Sequence, residues 1–453
     1  MKDDIFVPSN QYWPETHIVQ NQPVALENYN SYEQDIALQH LVAQHGGQWA
    51  STELQQLGAI CGSTEVIEWG FQANQHKPTL HTHSRHGQRI DEVRYHPAYH
   101  QLMHLSMSEG VHASHWETPQ PGAHVARAAK FYLLSQVEAG HGCPIAMTSA
   151  AQPVLRRQPE LYKHWSPKLC SRKYDASNQP VASKQSVTLG MAMTEKQGGS
   201  DVRANTTRAF PMGQPGSGEL YELVGHKYFV SAPMSDAFLV LAKTDAGISC
   251  FLVPRWRPDG TKNPIQIQQL KNKMGNVSNA SSETELRGAL GWMIGEDGRG
   301  VSVILEMVAM TRFDCMIGSA AGMRQAVAQV THHCRQRKAF GLRLSEQPLM
   351  QNVLADLIIE SEAALAFSMR MAKALDQQYL HNDEQESLLL RLGTAVGKYW
   401  ICKRTPGHAY EAMECIGGSG VMEDSIMPRL FRESPVNSIW EGSGNIQCLD
   451  MLR

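Results

Sequence analysis

The sequence predicts an α+β protein with an N-terminal helical region, a central β region and a C-terminal helical bundle. Three observations predict this order. Apolar residues recur at helical spacing before residue 189, short runs of β-forming residues occupy 189–294, and long helical periodicities fill 295–453. Because strands and helices do not alternate in the β region, a Rossmann sheet is not expected. We therefore predict three domains, with boundaries at 1–188, 189–294 and 295–453.

The N-terminal domain begins with an arm. Residues 1–30 are polar and contain Pro8, Pro14 and Pro23, which predicts an extended segment on the surface of this or another subunit. Helical spacing then follows at 32–45, 51–69, 125–139 and 152–169.

A histidine-rich stretch interrupts these helices at residues 75–104. Its histidines are His76, His81, His83, His86, His96, His100 and His104. The pair at 81 and 83 could share one face of a strand and bind a metal. No carboxylate or cysteine joins them at a suitable spacing, so we predict no metal site. A solvated loop followed by a helix is expected instead.

The central region contains several short strands bounded by Pro and Gly turns. Candidate strands lie at 220–230, 237–241, 250–253 and 265–270. The glycine-rich stretch 295–300 has the wrong glycine order for a dinucleotide-binding loop, and no βα unit surrounds it. It is expected to be a turn before a helix.

The C-terminal third is predicted to be a four-helix bundle. Periodic segments at 301–335 and 387–416 predict two long helices, the second ended by Gly417-Gly418. Between them, Leu349, Val353 and Leu357 recur every four residues and predict the core face of another long helix.

Composition narrows the classes of function. The 453 residues carry a net charge of −3 at pH 7, which argues against a broad basic surface for nucleic acid. The nine cysteines form no Cys-x-x-Cys pair, so a disulfide framework and a thiolate zinc site are both disfavoured. No signal peptide and no membrane-spanning run is visible, and a cytoplasmic protein is expected.

The stretch at 191–201, Met-Ala-Met-Thr-Glu-Lys-Gln-Gly-Gly-Ser-Asp, has the chemistry of a ligand loop. Gly198 and Gly199 allow close approach of the backbone to a ligand. Thr194 and Ser200 offer hydroxyls beside exposed amides, which suit phosphate oxygens and the edges of heterocycles. An ordinary β-turn is the alternative interpretation, since Gly-Gly-Ser-Asp is turn chemistry anywhere.

A second candidate lies near the C-terminus, where Glu441 stands between Trp440 and a Gly-Ser-Gly loop. An apolar wall raises the pKa of a carboxylate and makes it a better base toward a carbon acid. The alternative is a surface loop whose glutamate is solvated.

Together the two stretches resemble the acyl-CoA dehydrogenase superfamily. Its members carry a Thr-Glu-x-x-x-Gly-Ser-Asp flavin loop after a helical domain, and an aromatic-Glu-Gly-(Thr/Ser) element near the end of a helical bundle. Arg-Lys-Ala-Phe-Gly at 337–341 looks like the superfamily's Arg-x-x-Phe-Gly element, and 417–420 resembles its Gly-Gly-x-Gly segment. The four elements occur in the expected order and cover nearly the whole chain.

Longer strings resemble the AidB branch, the adaptive-response proteins induced by DNA alkylation. They are Met-Thr-Glu-Lys-Gln-Gly-Gly-Ser-Asp-Val at 193–202, Asn-Thr-Thr-Arg at 205–208, Met-Thr-Arg-Phe-Asp-Cys at 310–315 and Pro-Val-Asn-Ser-Ile-Trp-Glu-Gly-Ser-Gly-Asn at 435–445.

Two features depart from that branch. Its members continue for roughly a hundred residues into a basic helical domain implicated in DNA binding, whereas this sequence ends at Arg453. We expect DNA binding through such a domain to be absent from these residues. In addition, Val277 stands where relatives place an arginine, so the partner of that arginine must be satisfied differently here.

The resemblance implies an acyl-CoA dehydrogenase-like fold with a β-barrel-like middle domain, one FAD per subunit and a tetramer. Phe229 and Ser231 match positions that stack on the flavin and hydrogen-bond near its N5, and Arg337 and Phe340 match positions that reach the FAD of a neighbouring subunit. The full set of implied cofactor-binding residues is Met191, Met193, Thr194, Gly199, Ser200, Phe229, Ser231, Arg337, Phe340, Gly418, Trp440, Ser443 and Asn445.

By the same resemblance, Glu441 is the catalytic base and Arg312 lies near it. An alternative for Arg312 is a structural ion pair with Asp314 or a flanking carboxylate. Trp440 replaces the more usual tyrosine, which would narrow the pocket and disfavour ordinary acyl-CoA substrates.

Two functions remain open from the sequence. One is an FAD enzyme that dehydrogenates an acyl-CoA or a related small carbon acid, with a role in protection against alkylation damage. The other is a DNA-associated repair or protective protein whose FAD is largely structural, although the charge of the chain makes DNA binding doubtful.

Overall fold

The computed structural model describes residues 16–452, so the first half of the predicted arm, residues 1–15, and Arg453 lie outside the described residues. The helices are α1 (Ile36–Gln44), α2 (Ser51–Cys61), α3 (Thr64–Gln75), α4 (Pro97–Ser108), α5 (Ser114–Glu117), α6 (Ala123–Val137), α7 (Gly142–Leu155), α8 (Pro159–Leu169), α9 (Gly300–Gln336), α10 (Pro348–His381), α11 (Glu384–Ile416), α12 (Met427–Glu433), α13 (Val436–Ile439) and α14 (Gly444–Met451). The strands are β1 (Thr79–His83), β2 (Arg89–Arg94), β3 (Leu189–Ala192), β4 (Arg208–Pro211), β5 (Leu220–Ser231), β6 (Ala237–Lys243), β7 (Ile248–Pro254), β8 (Ile265–Leu270), β9 (Ser281–Ile294), β10 (Lys338–Ala339) and β11 (Leu342–Arg343). The predicted order of helices, strands and helices is confirmed.

Helices α6 and α7 are buried on almost every side, because they pack against α9 as well as against other N-terminal helices. Both helices are rich in small and apolar residues, and a helix that is apolar all round is stable only in the interior. Two buried cations of α6 are paired: Arg127 with Asp314, and Lys130 with Glu53. Since α7 packs against both α9 and β3, this layer joins the β region to the C-terminal helices.

The prediction of a solvated loop for the histidine-rich stretch is wrong in its first half. Strands β1 and β2 form an antiparallel hairpin there, and the predicted helix follows as α4. Leu80 and Val93 pack with Ile267 of β8, which gives the hairpin its inner face. Because β1 contains His81 and His83, the alternation of apolar and polar side chains is weak in the sequence. Among residues 16–452, no group of histidine, cysteine, aspartate or glutamate residues is arranged to hold a metal ion.

The β region forms a seven-stranded sheet in the order β3-β6-β4-β5-β9-β7, with β8 paired to β9. A further pairing of β6 with β7 joins strands at separate points of this order, so the sheet curls into a barrel-like body. Glycine 295 adopts a φ of +76°, and the turn it begins leads directly into α9.

The C-terminal helices α9, α10 and α11 are long and pack on one another, and α12–α14 complete this region. The predicted core face of α10 is partly wrong, because Leu349 is 86% exposed while Leu354 and Leu357 are buried. A step of eight residues overshoots two helical turns by roughly 80°, so a strict four-residue repeat drifts off the buried face. No helix in the described part of the chain is long and apolar enough to cross a membrane.

Candidate active site

The loop at 191–201 is held by a buried carboxylate within it. Glu195 is fully buried and accepts a hydrogen bond of 2.8 Å from the equally buried ammonium of Lys227 on β5. The backbone N–H groups of Thr206 and Thr207 and the hydroxyl of Thr206 also donate to Glu195. Burial alone raises the pKa of this carboxyl group, but Lys227 and these donors together lower it to about 2. The loop is therefore fixed from beneath by an ionised glutamate.

The opposite side of the loop is open. Tyr228 N–H donates to the Thr194 carbonyl at 2.8 Å, which ties the loop to the end of β5. A Cβ atom added to Gly198 would meet nothing within 4 Å, whereas one on Gly199 would lie 2.6 Å from the Thr194 hydroxyl. Gly199 is thus required for the path of the backbone, and Ser200 beyond it is exposed.

The end of β5 presents an aromatic ring and a hydroxyl beside this loop. Phe229 is 46% exposed and Ser231 is partly exposed, while Val230 between them is buried, so the first two share the outer face of the strand. Met191 lies on β3 and Met193 directly follows that strand, at the start of the glycine-rich loop. These two side chains and the exposed Phe229 ring fit the flat ring system of a flavin.

The second half of the site is the turn at Glu441. This residue has a φ of +57°, which is unusual for a residue other than glycine. Such backbone strain occurs at functional sites more often than elsewhere. Gly442 follows with a φ of +95°, and the indole of Trp440 donates to the Asn437 side chain at 2.9 Å. The turn is braced from α11 by Lys398, whose ammonium donates to the carbonyl oxygens of Asn437 and Gly442.

The carboxylate of Glu441 has few partners. Its hydrogen-bond donor is the Thr311 hydroxyl of α9, at 2.8 Å. Burial raises the pKa of Glu441, and the hydrogen bond from Thr311 and the charges of Lys398 and Arg312 offset only part of that effect. A carboxylate that is ionisable but poorly solvated can accept a proton from a weak acid.

Arg312 lies beside Glu441, but it binds the backbone rather than the carboxylate. Its Nε donates to the Glu441 carbonyl at 2.8 Å, and its Nη1 forms an ion pair with Asp450 of α14. The alternative partner Asp314 is wrong, because Asp314 is buried against Arg127 of α6. A flanking carboxylate, Asp450, takes that place.

The thiol of Cys143, at the start of α7, links the two halves of the site. Burial raises its pKa to about 12 and the charge of Glu441 adds to this rise, whereas the charge of Lys273 and hydrogen bonding with Ser231 and Asn279 lower the pKa. Cys143, Ser231 and Glu441 are each partly exposed although burial shifts the pKa of the thiol and the carboxyl group. The Cys143 thiol therefore lies within electrostatic reach of both the end of β5 and the Glu441 turn.

Three other predicted cofactor residues lie on exposed surfaces of the C-terminal helical region. Phe340 is 97% exposed with a φ of +54° at the tip of the β10–β11 hairpin, and the Arg337 guanidinium beside it donates to the Asn21 carbonyl of the arm. Gly418 follows α11 and would leave an added Cβ in open space. Phe340 and Gly418 are thus exposed, whereas Arg337 is partly exposed and contacts the arm.

Ser443 and Asn445 sit at the start of α14, and both are exposed. The carbonyl of Ser443 accepts from the Gln447 N–H, which begins the helix. They lie on the same turn as Glu441.

Several residues of the site escaped prediction from sequence. They come from four different parts of the fold and are Thr311, Lys398, Cys143 and Asn279. Thr311 lies within 310–315, one of the strings that resemble the AidB branch. The signal for Thr311 was its place directly before Arg312.

Three family models match successive parts of this chain. Residues 21–176 match the adaptive response protein AidB N-terminal domain, residues 190–289 match the acyl-CoA dehydrogenase middle domain, and residues 298–453 match the acyl-CoA dehydrogenase C-terminal domain.

Individual proteins agree with these matches. The chain is 48% identical over 444 residues to the AidB protein of Escherichia coli (strain K12), whose name assigns it provisionally to the acyl-CoA dehydrogenases; the match covers 98% of this chain and 81% of that one. It is 31% identical to acyl-CoA dehydrogenase family member 11 of Caenorhabditis elegans, over 92% of this chain and 69% of that one. The crystal structure of Caenorhabditis elegans ACDH-11 in complex with C11-CoA superposes with a TM-score of 0.89 at 29% identity, covering 98% of this chain and 76% of that chain.

Proposed function

Because the chain belongs to the AidB-like branch of the acyl-CoA dehydrogenase family, we propose that it removes two hydrogens from an acyl-CoA or a related small carbon acid, with Glu441 as the base. Proteins of this family are FAD-dependent oxidoreductases that act on the CH–CH group of their substrates, and FAD is the cofactor. The environment of Glu441 is the observation that supports this role. Burial raises the pKa of its carboxyl group, one hydroxyl donates to that group, and the backbone of the residue has a φ of +57°.

In the proposed reaction, the Glu441 carboxylate takes the α-proton of the substrate and becomes a carboxylic acid. When bound, the flavin would supply the acceptor for the β-hydride, so that loss of both hydrogens would leave a Cα=Cβ double bond in the substrate. Thr311 orients the carboxylate through its hydroxyl, and Arg312 holds the backbone carbonyl of the same residue. These contacts fix the base so that little reorganisation is needed during proton transfer.

The loop and strand residues would hold the cofactor. Met191, Met193, Thr194, Phe229 and Ser231 would lie against the flavin ring, and the exposed amides and hydroxyl at Gly199 and Ser200 suit the pyrophosphate. The residues on the Glu441 side of the bound flavin would be Trp440, Ser443 and Asn445.

Arg337, Phe340 and Gly418 would bind the cofactor of a second subunit. A guanidinium suits the doubly charged pyrophosphate, and an almost fully exposed phenylalanine is costly unless another surface covers it. We therefore propose a homotetramer with shared FAD sites.

We also propose that the chain has three domains, with boundaries at 1–188, 189–294 and 295–453. All nine cysteines are free thiols, which supports a reducing cytoplasm.

The substrate is proposed to be small or narrow. Trp440 directly precedes the base in sequence and its indole is held by a hydrogen bond to Asn437, so the ring would take up volume near the α-carbon of a bound substrate. A long acyl chain would have to pass this ring.

The test is anaerobic addition of straight-chain and branched acyl-CoA compounds to the purified yellow protein. At least one compound should bleach the flavin, and Glu441→Gln should keep FAD while slowing bleaching by roughly a hundredfold or more. If wild type and Glu441→Gln bleach at the same rate, Glu441 is not the base. If no compound reduces the wild type, the dehydrogenase proposal is wrong.

The shared site has a separate test. Arg337→Ala should lower FAD occupancy of the oligomer, because a pyrophosphate charge is left unpaired. Arg335→Ala, two residues away and exposed at the end of α9, is the matched control and should retain FAD. Full FAD occupancy in a protein that light scattering shows to be monomeric would contradict a shared site.

A second candidate function is protection against alkylation damage, in association with DNA and with a largely structural FAD. The observation that favours it is the match to the adaptive response protein AidB N-terminal domain. We expect duplex DNA to bind these residues weakly and with a small salt dependence, since the net charge is −3. Tight binding at physiological salt, together with a flavin that no acyl-CoA reduces, would favour the second candidate.

A further inference from the structure

Lys273 lies directly behind the hydroxyl at the end of β5. Its ammonium donates to the carbonyl of Asn279 at 2.7 Å and to the hydroxyl of Ser281 at 3.0 Å. Ser281 is the residue opposite Ser231 in the antiparallel β5–β9 pairing, and the two hydroxyl oxygens are 3.1 Å apart. A continuous chain of hydrogen bonds therefore joins Lys273 to Ser231.

The donors in this chain have a definite direction. A lysine ammonium can only donate, so the Ser281 oxygen is an acceptor toward Lys273. Within residues 16–452 the Ser281 hydroxyl has two partners, Lys273 and Ser231, and the residue is 2% exposed. If Ser231 donated to Ser281, the proton of Ser281 would be buried without an acceptor, which costs roughly 1–3 kcal/mol. Ser281 therefore donates to Ser231, and the Ser231 proton is left for another acceptor, either the nearby Cys143 sulfur, which is a weak acceptor, or a bound group.

We propose that Lys273 is a positioning residue that acts through Ser281 to aim the Ser231 hydroxyl at the flavin as a hydrogen-bond donor and to favour the reduced flavin. This inference rests on the placement of FAD in the proposed function. A donor facing the hydride-accepting edge, with a positive charge two hydrogen bonds behind it, stabilises electron density that arrives there.

Lys273 carries its charge at neutral pH. Burial lowers the pKa of its ammonium to about 8, although Cys143, Glu433 and Glu138 act to raise it. These three groups face Lys273 from α7, from α12 and from the residue that ends α6. The pKa values of Glu138 and Cys143, about 2 and about 12, lie far from neutrality, while burial raises the pKa of Glu433 to about 7.

The charge of Lys273 is thus present below about pH 8 and is lost above it. The two-electron reduction potential of the bound flavin should show an additional fall as the pH rises through that value. Glu433 titrates nearby, so its contribution must be separated.

The experiment measures the flavin reduction potential by equilibrium reduction against a reference dye, with FAD saturating and no substrate present. Lys273→Met, which keeps an unbranched side chain one atom shorter, should shift the ratio of reduced to oxidised flavin about tenfold toward the oxidised form at pH 7. For a two-electron couple this is about 30 mV. Lys273→Arg keeps the charge and the donors, and should retain the potential at pH 7 without the additional fall near pH 8.

Ser281→Ala provides a smaller substitution in case Lys273→Met folds poorly. It should lower the potential in the same direction, and the double variant should add little to either single change, because both interrupt one chain. Glu433→Gln should keep the fall near pH 8. Melting temperature and FAD affinity are measured for every variant, since a merely structural lysine would change these without changing the potential.

An unchanged potential in both Lys273→Met and Ser281→Ala, at full FAD occupancy, overturns the inference. So does an additive double variant, or a fall near pH 8 that Glu433→Gln abolishes and Lys273→Arg keeps. The potential is measured without an acyl-CoA, so failure of the proposed dehydrogenation is observed separately in the bleaching experiment and does not change this outcome.

Discussion

Glu195 is fully buried and Glu441 is partly exposed, and the protein contacts their carboxylates in opposite ways. Glu195 accepts five hydrogen bonds, from Gln197, Thr206 (twice), Thr207 and Lys227. Glu441 accepts one at its carboxylate, from Thr311, while the nearby Arg312 binds its carbonyl and Asp450 instead. The pKa of the first is lowered to about 2, and that of the second is raised.

The difference shows that burial does not decide the charge of a carboxylate by itself. Burial raises the pKa in both cases, and the number of donors aimed at the oxygens then determines the sign of the net shift. Glu195 has five donors and holds a loop, whereas the partly exposed carboxylate of Glu441 has one donor among the described residues and belongs to a residue with a φ of +57°. That cost to stability is expected where a residue is kept for chemistry.

The largest expected effect tests the structural member of the pair. Glu195→Gln leaves the buried Lys227 charge without its counterion and should lower the free energy of unfolding by about 3–5 kcal/mol at pH 7. Because the pKa of Glu195 is depressed, its contribution is present above the unfolded pKa and declines as the pH falls toward 2. Chemical denaturation measures the change. Glu423→Gln, in an exposed pair with Arg432, is the matched control and should cost no more than about 1 kcal/mol.

The next effect concerns the wall beside Glu441. Trp440→Tyr should enlarge the substrate pocket beside Glu441 and raise kcat/KM for an acyl-CoA by roughly tenfold. An apolar pocket distinguishes substrates that differ by one methylene group by about 1–3 kcal/mol. Trp400→Tyr makes the same change on α11, away from the Glu441 turn, and should leave kcat/KM unchanged. Equal activity in wild type and Trp440→Tyr would show that the indole does not limit the substrate.

Glu441→Gln should stabilise the fold, in contrast to the same substitution at Glu195. Removing a desolvated charge should raise the free energy of unfolding by roughly 0.5–2 kcal/mol at pH 7. A raised pKa means that the penalty appears as the pH rises through the folded value, so the gain should vanish below the unfolded pKa of the carboxyl group. Thermal melting at pH 4 and pH 7 checks this, and a loss of stability at pH 7 would contradict the assigned environment.

The smallest effect tests the remaining donor. Thr311→Val removes the hydroxyl that stabilises the carboxylate, so the pKa of Glu441 should rise further and flavin reduction at pH 7 should slow by roughly two- to tenfold. The acidic limb of the pH–rate profile should move to higher pH. Thr405→Val, whose hydroxyl bonds a carbonyl of its own helix, is the control and should leave the profile in place.

The order of the elements and both chemical loops could be predicted from sequence, because each depends on neighbouring residues. Periodicity located the long helices, and turn chemistry located the glycine loop. The failures are also local in origin. Histidines hid the alternation of the β1–β2 hairpin, and a four-residue repeat misplaced Leu349 on a helix of 3.6 residues per turn.

The sequence by itself determined the helix–sheet–helix order, the family, and the two stretches that carry Glu195 and Glu441. Only the tertiary structure decided which of these glutamates is satisfied. Lys227 is 32 residues from Glu195, and Thr311 is 130 residues from Glu441. Hydrogen bonds and charges act over a few ångströms in space, and the folded packing of β5, α7, α9 and the loop before β9 brings these partners together.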